Sequence, residues 1–261
     1  MTISWDNCLK RIKPRPIKGQ LIRVVESQEQ IATNALVDDL QEQELLEELL
    51  ENSKPPKAPG SEKLHYLLAA PFRYPPLMYG SRFGLKTQPS LLYGSHQLAT
   101  AFAETAYYRF LFWNGISSPP PAKLVTQHTI FSANYATRAG LQLQQPPFAQ
   151  HQARLTHPSD YAATQQLGSV MRDTGVEAFE FTSARDPEQG INVGLFSPAG
   201  LSSRRPLSQR PGLCQTSATE VSFSSMTDGN TYRFEYRLFT EKGAFQTPAI
   251  IAPKARTRAT P

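Results

Sequence analysis

The spacing of apolar residues predicts helices and strands without a regular order. Residues 97–113, QLATAFAETAYYRFLFW, are apolar over most of a helical circumference, which predicts a buried helix. Six shorter runs predict strands: 65–70, 90–95, 123–135, 176–182, 191–196 and 232–239. Because helices and strands do not alternate, the sequence predicts an α+β fold with mainly antiparallel sheets and flanking helices rather than a βαβ winding.

The first 60 residues have a pattern of their own. Residues 27–52 place leucines at helical spacing between acidic residues, which predicts one long acidic helix. The segment SKPPKAPGS that follows is rich in proline and reads as a linker. The sequence therefore predicts a helical N-terminal appendage over 1–60, a main domain over 61–250 and a basic, flexible tail over 251–261.

The remaining segments carry weaker signals. Residues 136–158 are rich in glutamine and proline and are predicted to be loop or short helix. Ser159 is the predicted N-cap of a helix over 160–174, which Gly175 would end.

Charge and cysteine content narrow the class of protein. The net charge is +5, but nine acids without a base in residues 26–51 follow the basic residues 1–25, which argues against direct nucleic-acid binding. No apolar run reaches the ~20 residues of a membrane span, and the N-terminus lacks a secretory core. Cys8 and Cys214 make neither a disulfide framework nor a metal site, so we expect a reduced, cytoplasmic protein.

Two arginines stand among prolines and aromatic residues without a nearby acid. Residues 71–83, PFRYPPLMYGSRF, contain Arg73 and Arg82, whose guanidinium groups suit bidentate contact with phosphate oxygens. Tyr74 and Tyr93 offer flat faces for a base or a nicotinamide ring. The cluster favours a nucleotide with a pyrophosphate, and the alternative is two surface charges whose stems cover the core. No glycine-rich phosphate loop or dinucleotide fingerprint is present.

Glu104 and Ser183 are the other candidate site residues. No lysine or arginine lies three or four residues from Glu104, so its carboxylate pairs with a distant arginine, faces solvent, or lines a cleft where it meets a substrate. Ser183, in FTSARD, either projects into a cleft at a strand end or caps a turn. The absence of a GxSxG elbow and of a suitably spaced histidine argues against a serine hydrolase.

These residues resemble the arginine, glutamate and serine that give the RES-domain family its name. Arg73 lies in FRYPP, Glu104 in TAFAETAYYR and Ser183 in FTSAR. Four further segments support the resemblance: GSRFG at 80–84, LLYGS at 91–95, ATQQLG at 163–168 and SARDPEQGINVGLF at 183–196. The resemblance covers about residues 64–200.

The resemblance implies a fold similar to that of ADP-ribosyltransferases and a toxin-like enzyme that consumes NAD+. It implies cleavage of the nicotinamide–ribose bond by phosphorolysis or hydrolysis, with NAD+ as substrate, inorganic phosphate as a candidate co-substrate and no metal. The alternatives are a mono-ADP-ribosyltransferase with a protein target and a non-catalytic module that binds a partner. A helix-turn-helix antitoxin is the partner that the resemblance implies, and no membrane contact is expected.

The resemblance also implies roles for the candidate residues. Glu104 would stabilise the positive charge that develops on the ribose or hold the ribose hydroxyl groups. Arg73 and Arg82 would hold the phosphates, and either can be the arginine of the family. Tyr74 or Tyr93 would stack near the nicotinamide ring, and Ser183 would form a hydrogen bond to the nicotinamide ribose or to a phosphate.

Overall fold

The computed structural model describes residues 5–10, 12–27, 37, 39–225 and 229–249. The helices in these ranges are α1 (Trp5–Lys10), α2 (Leu40–Ser53), α3 (Tyr66–Arg73), α4 (Leu98–Asn114), α5 (Gln152–Leu155) and α6 (Ala162–Asp173). The strands are β1 (Arg15–Glu26), β2 (Leu92–Ser95), β3 (Leu124–Gln142), β4 (Ala178–Thr182), β5 (Ile191–Leu195), β6 (Ser208–Thr216), β7 (Glu220–Ser225), β8 (Thr231–Glu235), β9 (Thr240–Glu241) and β10 (Ala244–Phe245). None of the described helices is long and apolar enough to cross a membrane.

The described strands form one large sheet that partly closes on itself. Its order is β1-β2-β5-β4-β3-β6-β7-β8, and β1 also pairs with β3, so the first five strands make a ring. Among these pairs, only β3 and β4 run parallel, over the short stretch 140–142 against 178–180. The prediction of a mixed fold with a mainly antiparallel sheet and flanking helices is confirmed.

Apolar side chains fill the ring and the space beneath α4. Leu21 of β1, Phe131 of β3 and Val193 of β5 belong to one buried cluster, which Leu68 of α3 covers. Helix α4 packs against the ring strands β1, β2 and β5 and also against the strands outside the ring, where Phe102 stacks on Phe223 with ring centroids 4.6 Å apart. The predicted burial of this helix is therefore confirmed, and it presses one face against the strands that carry the site.

Strand β1 lies inside the segment that the sequence set apart as an appendage. It pairs with β3 in a continuous register from Ile17 with Thr137 to Glu26 with His128. The helical N-terminal appendage is not confirmed, because residues 15–26 are a strand of the central sheet. The pairing with β1 reaches Gly140, and pairing with β4 extends β3 to Gln142, so residues 136–142 are strand where loop or short helix was predicted.

Two predicted elements of the first 70 residues are wrong in type or extent. Residues 66–70 form the start of helix α3, with His65 as its N-cap, rather than a strand, because Leu67, Leu68 and Phe72 bury one helical face. Helix α2 begins at Leu40, where the Asp39 side chain accepts the N–H groups of Gln41 and Glu42, so it is shorter than the predicted 27–52. Residues 28–36 and 38 lie outside the described residues.

Two boundaries nearer the C-terminus also differ from the prediction. Strand β8 ends at Glu235 and a 3-10 turn follows, so 232–239 is only partly strand. Helix α6 begins at Ala162, and the backbone N–H of Ala162 donates to the side chain of Asp160, so Ser159 is not the N-cap. Gly175 follows the end of the helix, as predicted, and has a left-handed backbone conformation. The tail over 251–261 lies outside the described residues.

Replacing Leu21 of β1 by alanine should destabilise the whole domain. The Leu21 side chain is fully buried inside the ring, so its loss should lower the free energy of unfolding by about 2–5 kcal/mol. The measurement is urea unfolding followed by circular dichroism. Leu207→Ala, the same change at a half-exposed position, should cost less than about 1 kcal/mol. Equal stability of Leu21→Ala and wild type would show that β1 is not part of the folded core.

Candidate active site

The site is built around the carboxylate of Glu104 on helix α4. The Ser183 hydroxyl, just after β4, donates to Glu104 Oε1 at 2.6 Å. The Asn192 side-chain amide, on β5, donates to the same oxygen at 2.6 Å. The structure therefore brings Glu104 and Ser183 together, and two donors from neighbouring strands fix the carboxylate.

Ser183 both caps a turn and orients Glu104. Its oxygen accepts the backbone N–H groups of Arg185 at 3.1 Å and Asp186 at 3.0 Å. Because these bonds occupy its acceptor sites, the hydroxyl proton points to Glu104. Ser183 therefore caps a turn and is not among the residues that line the cavity described below, and through its contact with Glu104 it is a positioning group in this geometry.

The turn that carries Ser183 is anchored on both sides. Asp186 accepts a hydrogen bond from Thr100 of α4 at 2.7 Å, which joins the turn to the helix of Glu104. The Arg185 guanidinium lies over the Tyr107 ring at 3.4 Å and donates to the hydroxyl of Tyr161 at 3.0 Å. The turn is thus fixed relative to α4, and the Ser183–Glu104 contact does not depend on a free loop.

The Asn192 amide has a defined orientation. The Ser95 hydroxyl at the end of β2 donates to Asn192 Oδ1 at 2.6 Å, which directs Nδ2 towards Glu104. Both Ser95 and Asn192 are buried. The hydrogen-bonded chain therefore connects β2, β5 and α4 around one carboxylate.

Glu104 lines a cavity of about 590 Å³. The residues around this cavity that carry charge, amide groups or aromatic rings include Arg23, Tyr74, Arg82, Tyr93, Tyr108 and Asn192. No hydrogen bond from the described part of the chain reaches Glu104 Oε2. One carboxylate oxygen is thus fixed by the protein, and the other is available to a ligand.

The two predicted arginines lie in different places. Arg82 lines the cavity, where its guanidinium packs over the Tyr161 ring at 4.5 Å and donates to the carbonyl of His157 at 2.8 Å. Arg73 does not line it and forms an ion pair with Glu51 of α2 at 2.7 Å. Hydrogen bonds from Lys54 and Arg73 lower the pKa of Glu51 to about 2. The geometry therefore gives Arg73 a partner in α2 and leaves Arg82 beside the cavity.

Both predicted tyrosines line the cavity, but their hydroxyl groups differ. The Tyr93 hydroxyl accepts the N–H of Phe83 at 3.1 Å and shares a hydrogen bond with Ser81 at 2.9 Å. Burial raises the pKa of Tyr93 to about 12, so it stays neutral at physiological pH. Tyr74 is 44% exposed and offers the more open ring.

Sequence reasoning missed Arg23 and Asn192. Arg23 lies on β1, for which no strand was predicted, and Asn192 is the polar residue of the strand INVGL. A polar side chain in an otherwise apolar strand was the available signal for Asn192, because such a group needs a buried partner.

A family model described as the RES domain matches residues 56–216, which is more than half of the chain. The chain therefore belongs to the RES-domain family. The matched segment includes Arg73, Arg82, Glu104 and Ser183, whereas β1 precedes it. No curated protein sequence matches the chain.

Replacing Ser183 by alanine should weaken the fold at the site. The change leaves two buried backbone N–H groups without their acceptor, so we expect a loss of about 1–3 kcal/mol in the free energy of unfolding. Ser117→Ala, at an exposed position after α4, is the matched control and should change stability by less than about 0.5 kcal/mol. Thermal and urea unfolding measure both variants, and an unchanged Ser183→Ala protein would contradict the described turn.

Proposed function

We propose that this protein is an NAD+-consuming enzyme that cleaves the nicotinamide–ribose bond, with phosphate as the first candidate acceptor and water as the second. The RES-domain family is commonly linked to NAD+-related toxin function. The observation that carries the proposal is the Glu104 carboxylate, fixed through Oε1 by Ser183 and Asn192 while Oε2 stays free beside the cavity.

The chemistry of this bond needs a fixed negative charge more than it needs an acid. As the bond breaks, its electron pair moves to the ring nitrogen, so nicotinamide leaves as a neutral molecule and the ribose carbon becomes positive. A preorganised carboxylate stabilises that charge without having to reorient. The acceptor oxygen, from phosphate or water, then forms the new bond to the same carbon, and a water acceptor releases its proton to the solvent.

The remaining lining of the cavity suits a dinucleotide. A volume of about 590 Å³ lies within the range of ~300–1,000 Å³ that is typical of ligand pockets. The Arg82 guanidinium supplies positive charge for a phosphoryl group, and the open Tyr74 ring supplies a face for a base. We assign the phosphate-binding role to Arg82 rather than Arg73, because Arg73 is paired with Glu51.

The direct test is incubation of the purified protein with NAD+, with and without phosphate, followed by chromatography of the products. We expect release of nicotinamide, with ADP-ribose 1″-phosphate formed only in phosphate buffer. Release at the same rate in both buffers, with free ADP-ribose as product, would identify hydrolysis. Labelled NAD+ that marks a protein in a lysate would favour the transferase alternative. A folded protein that releases no nicotinamide under either condition would overturn the proposal.

Replacing Glu104 by glutamine should remove most of the turnover and little of the binding. The amide keeps the shape but loses the charge, so kcat should fall by about 100-fold or more while KM changes little. Glu188→Gln, an exposed position on the loop after Ser183, is the matched control and should keep wild-type kinetics. Wild-type kcat in Glu104→Gln would exclude the assigned role.

Arg82→Ala should weaken NAD+ binding, and Arg73→Ala should leave it unchanged. Loss of a charge-assisted contact at Arg82 should reduce the binding free energy by about 1.5–3 kcal/mol. Calorimetry in the Glu104→Gln background measures affinity without turnover, and thermal unfolding checks that each variant is folded. The reverse result, weaker binding only in Arg73→Ala, would return the role to Arg73.

Helix α2 favours a second candidate function, a module that binds a partner. None of its residues is buried, and Leu40, Leu45 and Leu49 are largely exposed beside its acidic residues. The family resemblance implies a helix-turn-helix antitoxin as that partner. If partner binding were the function, Glu104→Gln would keep every cellular effect, whereas loss of toxicity in that variant would favour the enzyme.

A further inference from the structure

The last described residues of the chain, 239–249, lie outside the segment that matches the RES-domain model. The match ends at residue 216, and residues 239–249 follow strand β8 and contain strands β9 and β10. We call residues 239–249 the C-terminal brace. They contact both helix α4, which carries Glu104, and the segment before helix α6, which binds the turn that carries Ser183.

The C-terminal brace holds helix α4 through the side chain of Tyr107. The Phe245 ring stacks on the Tyr107 ring, with ring centroids 5.2 Å apart and an angle of 12° between the planes. The Tyr107 side chain is fully buried, and its hydroxyl donates to the backbone carbonyl of Gln246 at 2.7 Å. Because Tyr107 follows Glu104 by three residues, the brace contacts α4 within about one turn of the carboxylate.

The same tyrosine ring also contacts the turn that carries Ser183. The Arg185 guanidinium lies 3.4 Å from the centroid of the Tyr107 ring, and Arg185 is two residues from Ser183. A guanidinium at this distance from an aromatic face is attracted by the ring. The position of the Tyr107 ring therefore affects both the helix of Glu104 and the turn whose hydroxyl orients the Glu104 carboxylate.

A second set of contacts joins the C-terminal brace to the segment before helix α6. The Ala249 N–H donates to the Ser159 carbonyl at 3.0 Å, and the Ser159 hydroxyl donates to Gln246 Oε1 at 3.3 Å. The adjacent Pro158 carbonyl accepts a hydrogen bond from Arg185 Nη2 at 2.5 Å. The brace, helix α4, the turn and this segment thus form a closed circuit of contacts around Arg185.

The C-terminal brace also covers apolar surface. Phe239 is buried and lies against Phe110 of α4, with ring centroids 5.7 Å apart. A cover alone would stabilise the domain without a specific effect on the turn that carries Ser183. The contacts of Phe245 and Gln246 with Tyr107 predict such an effect, so the two roles give different results when the Phe245 ring is removed.

We propose that Phe245 is a positioning residue, which fixes the turn that carries Ser183 relative to Glu104. Phe245 does not line the cavity, so it acts through the Tyr107 ring and its contact with Arg185 rather than on a ligand. The inference rests on the proposed function, in which the Glu104 carboxylate has to be oriented before the bond to nicotinamide breaks. In this arrangement, a segment outside the RES-domain match controls the geometry of the reaction.

The kinetic test compares Phe245→Ala with Leu238→Ala, a similar truncation at a half-exposed position just before the C-terminal brace. We expect Phe245→Ala to lower kcat by about 10- to 100-fold, since small displacements of positioned groups cost this much, with KM changed less than about threefold. Phe245→Tyr keeps the stacked ring and should retain kcat within about threefold of wild type. Wild-type kcat in Phe245→Ala, or an equal loss in Leu238→Ala or Phe245→Tyr, would overturn the proposal.

Amide hydrogen exchange tests the same contacts without any turnover. The N–H groups of Arg185 and Asp186 donate to the Ser183 oxygen, so their exchange reports whether the turn is fixed. We expect Phe245→Ala to speed this exchange by about tenfold or more, while the amides that join β1 to β3 exchange as in wild type. Leu238→Ala should leave both groups of amides unchanged. Faster exchange throughout the chain would show a general loss of stability and would overturn the positioning role.

The two measurements separate this inference from the proposed function. If wild type releases no nicotinamide but Phe245→Ala speeds exchange only in the turn, the proposed function fails and Phe245 still positions that turn. If wild type consumes NAD+ and the turn in Phe245→Ala exchanges at the wild-type rate, the proposed function stands and the role of Phe245 is excluded. Faster exchange in the turn together with wild-type kcat would likewise exclude a role in the reaction.

Discussion

The two hydrogen bonds to Glu104 Oε1 are the interactions on which the site depends. A carboxylate on a helix that is otherwise apolar is costly unless distant groups bind it, and Ser183 and Asn192 are those groups. They come from β4 and β5, so helix α4 has to lie against these strands for the bonds to form. The same contacts that make the charge tolerable in the fold also fix its direction, which leaves the second oxygen beside the cavity.

The sequence predicted the elements whose signals are local. Helix α4 and strands β4 and β5 follow from their apolar runs, and the isolation of Glu104 marked it as a residue that needs a partner. The pairing of β1 with β3 was not predictable in this way, because strand partners far apart in the chain leave no local pattern. The short run 65–70 was ambiguous for a different reason, since a few apolar residues suit a buried strand or a helix equally well.

Local composition does not distinguish the arginine that lines the cavity from the arginine that does not. Arg73 and Arg82 stand in the same proline-rich stretch, and nothing local tells them apart. Their difference is set by Glu51 of α2, which forms an ion pair with Arg73, and by His157 after α5, whose carbonyl accepts a hydrogen bond from Arg82. Arg23 was missed because its significance depends on which face of β1 it occupies, and that face is defined only once the ring is formed.

The closure of the ring by β1 has a consequence for the growing chain. During synthesis, residues 15–26 leave the ribosome long before residues 128–140, with which they pair. Glu104 likewise precedes Ser183 and Asn192, so its carboxylate has no orienting donors while the chain is short. Closing such long loops is a late step in folding. The oriented Glu104 carboxylate therefore cannot form in the nascent polypeptide until translation has passed Asn192.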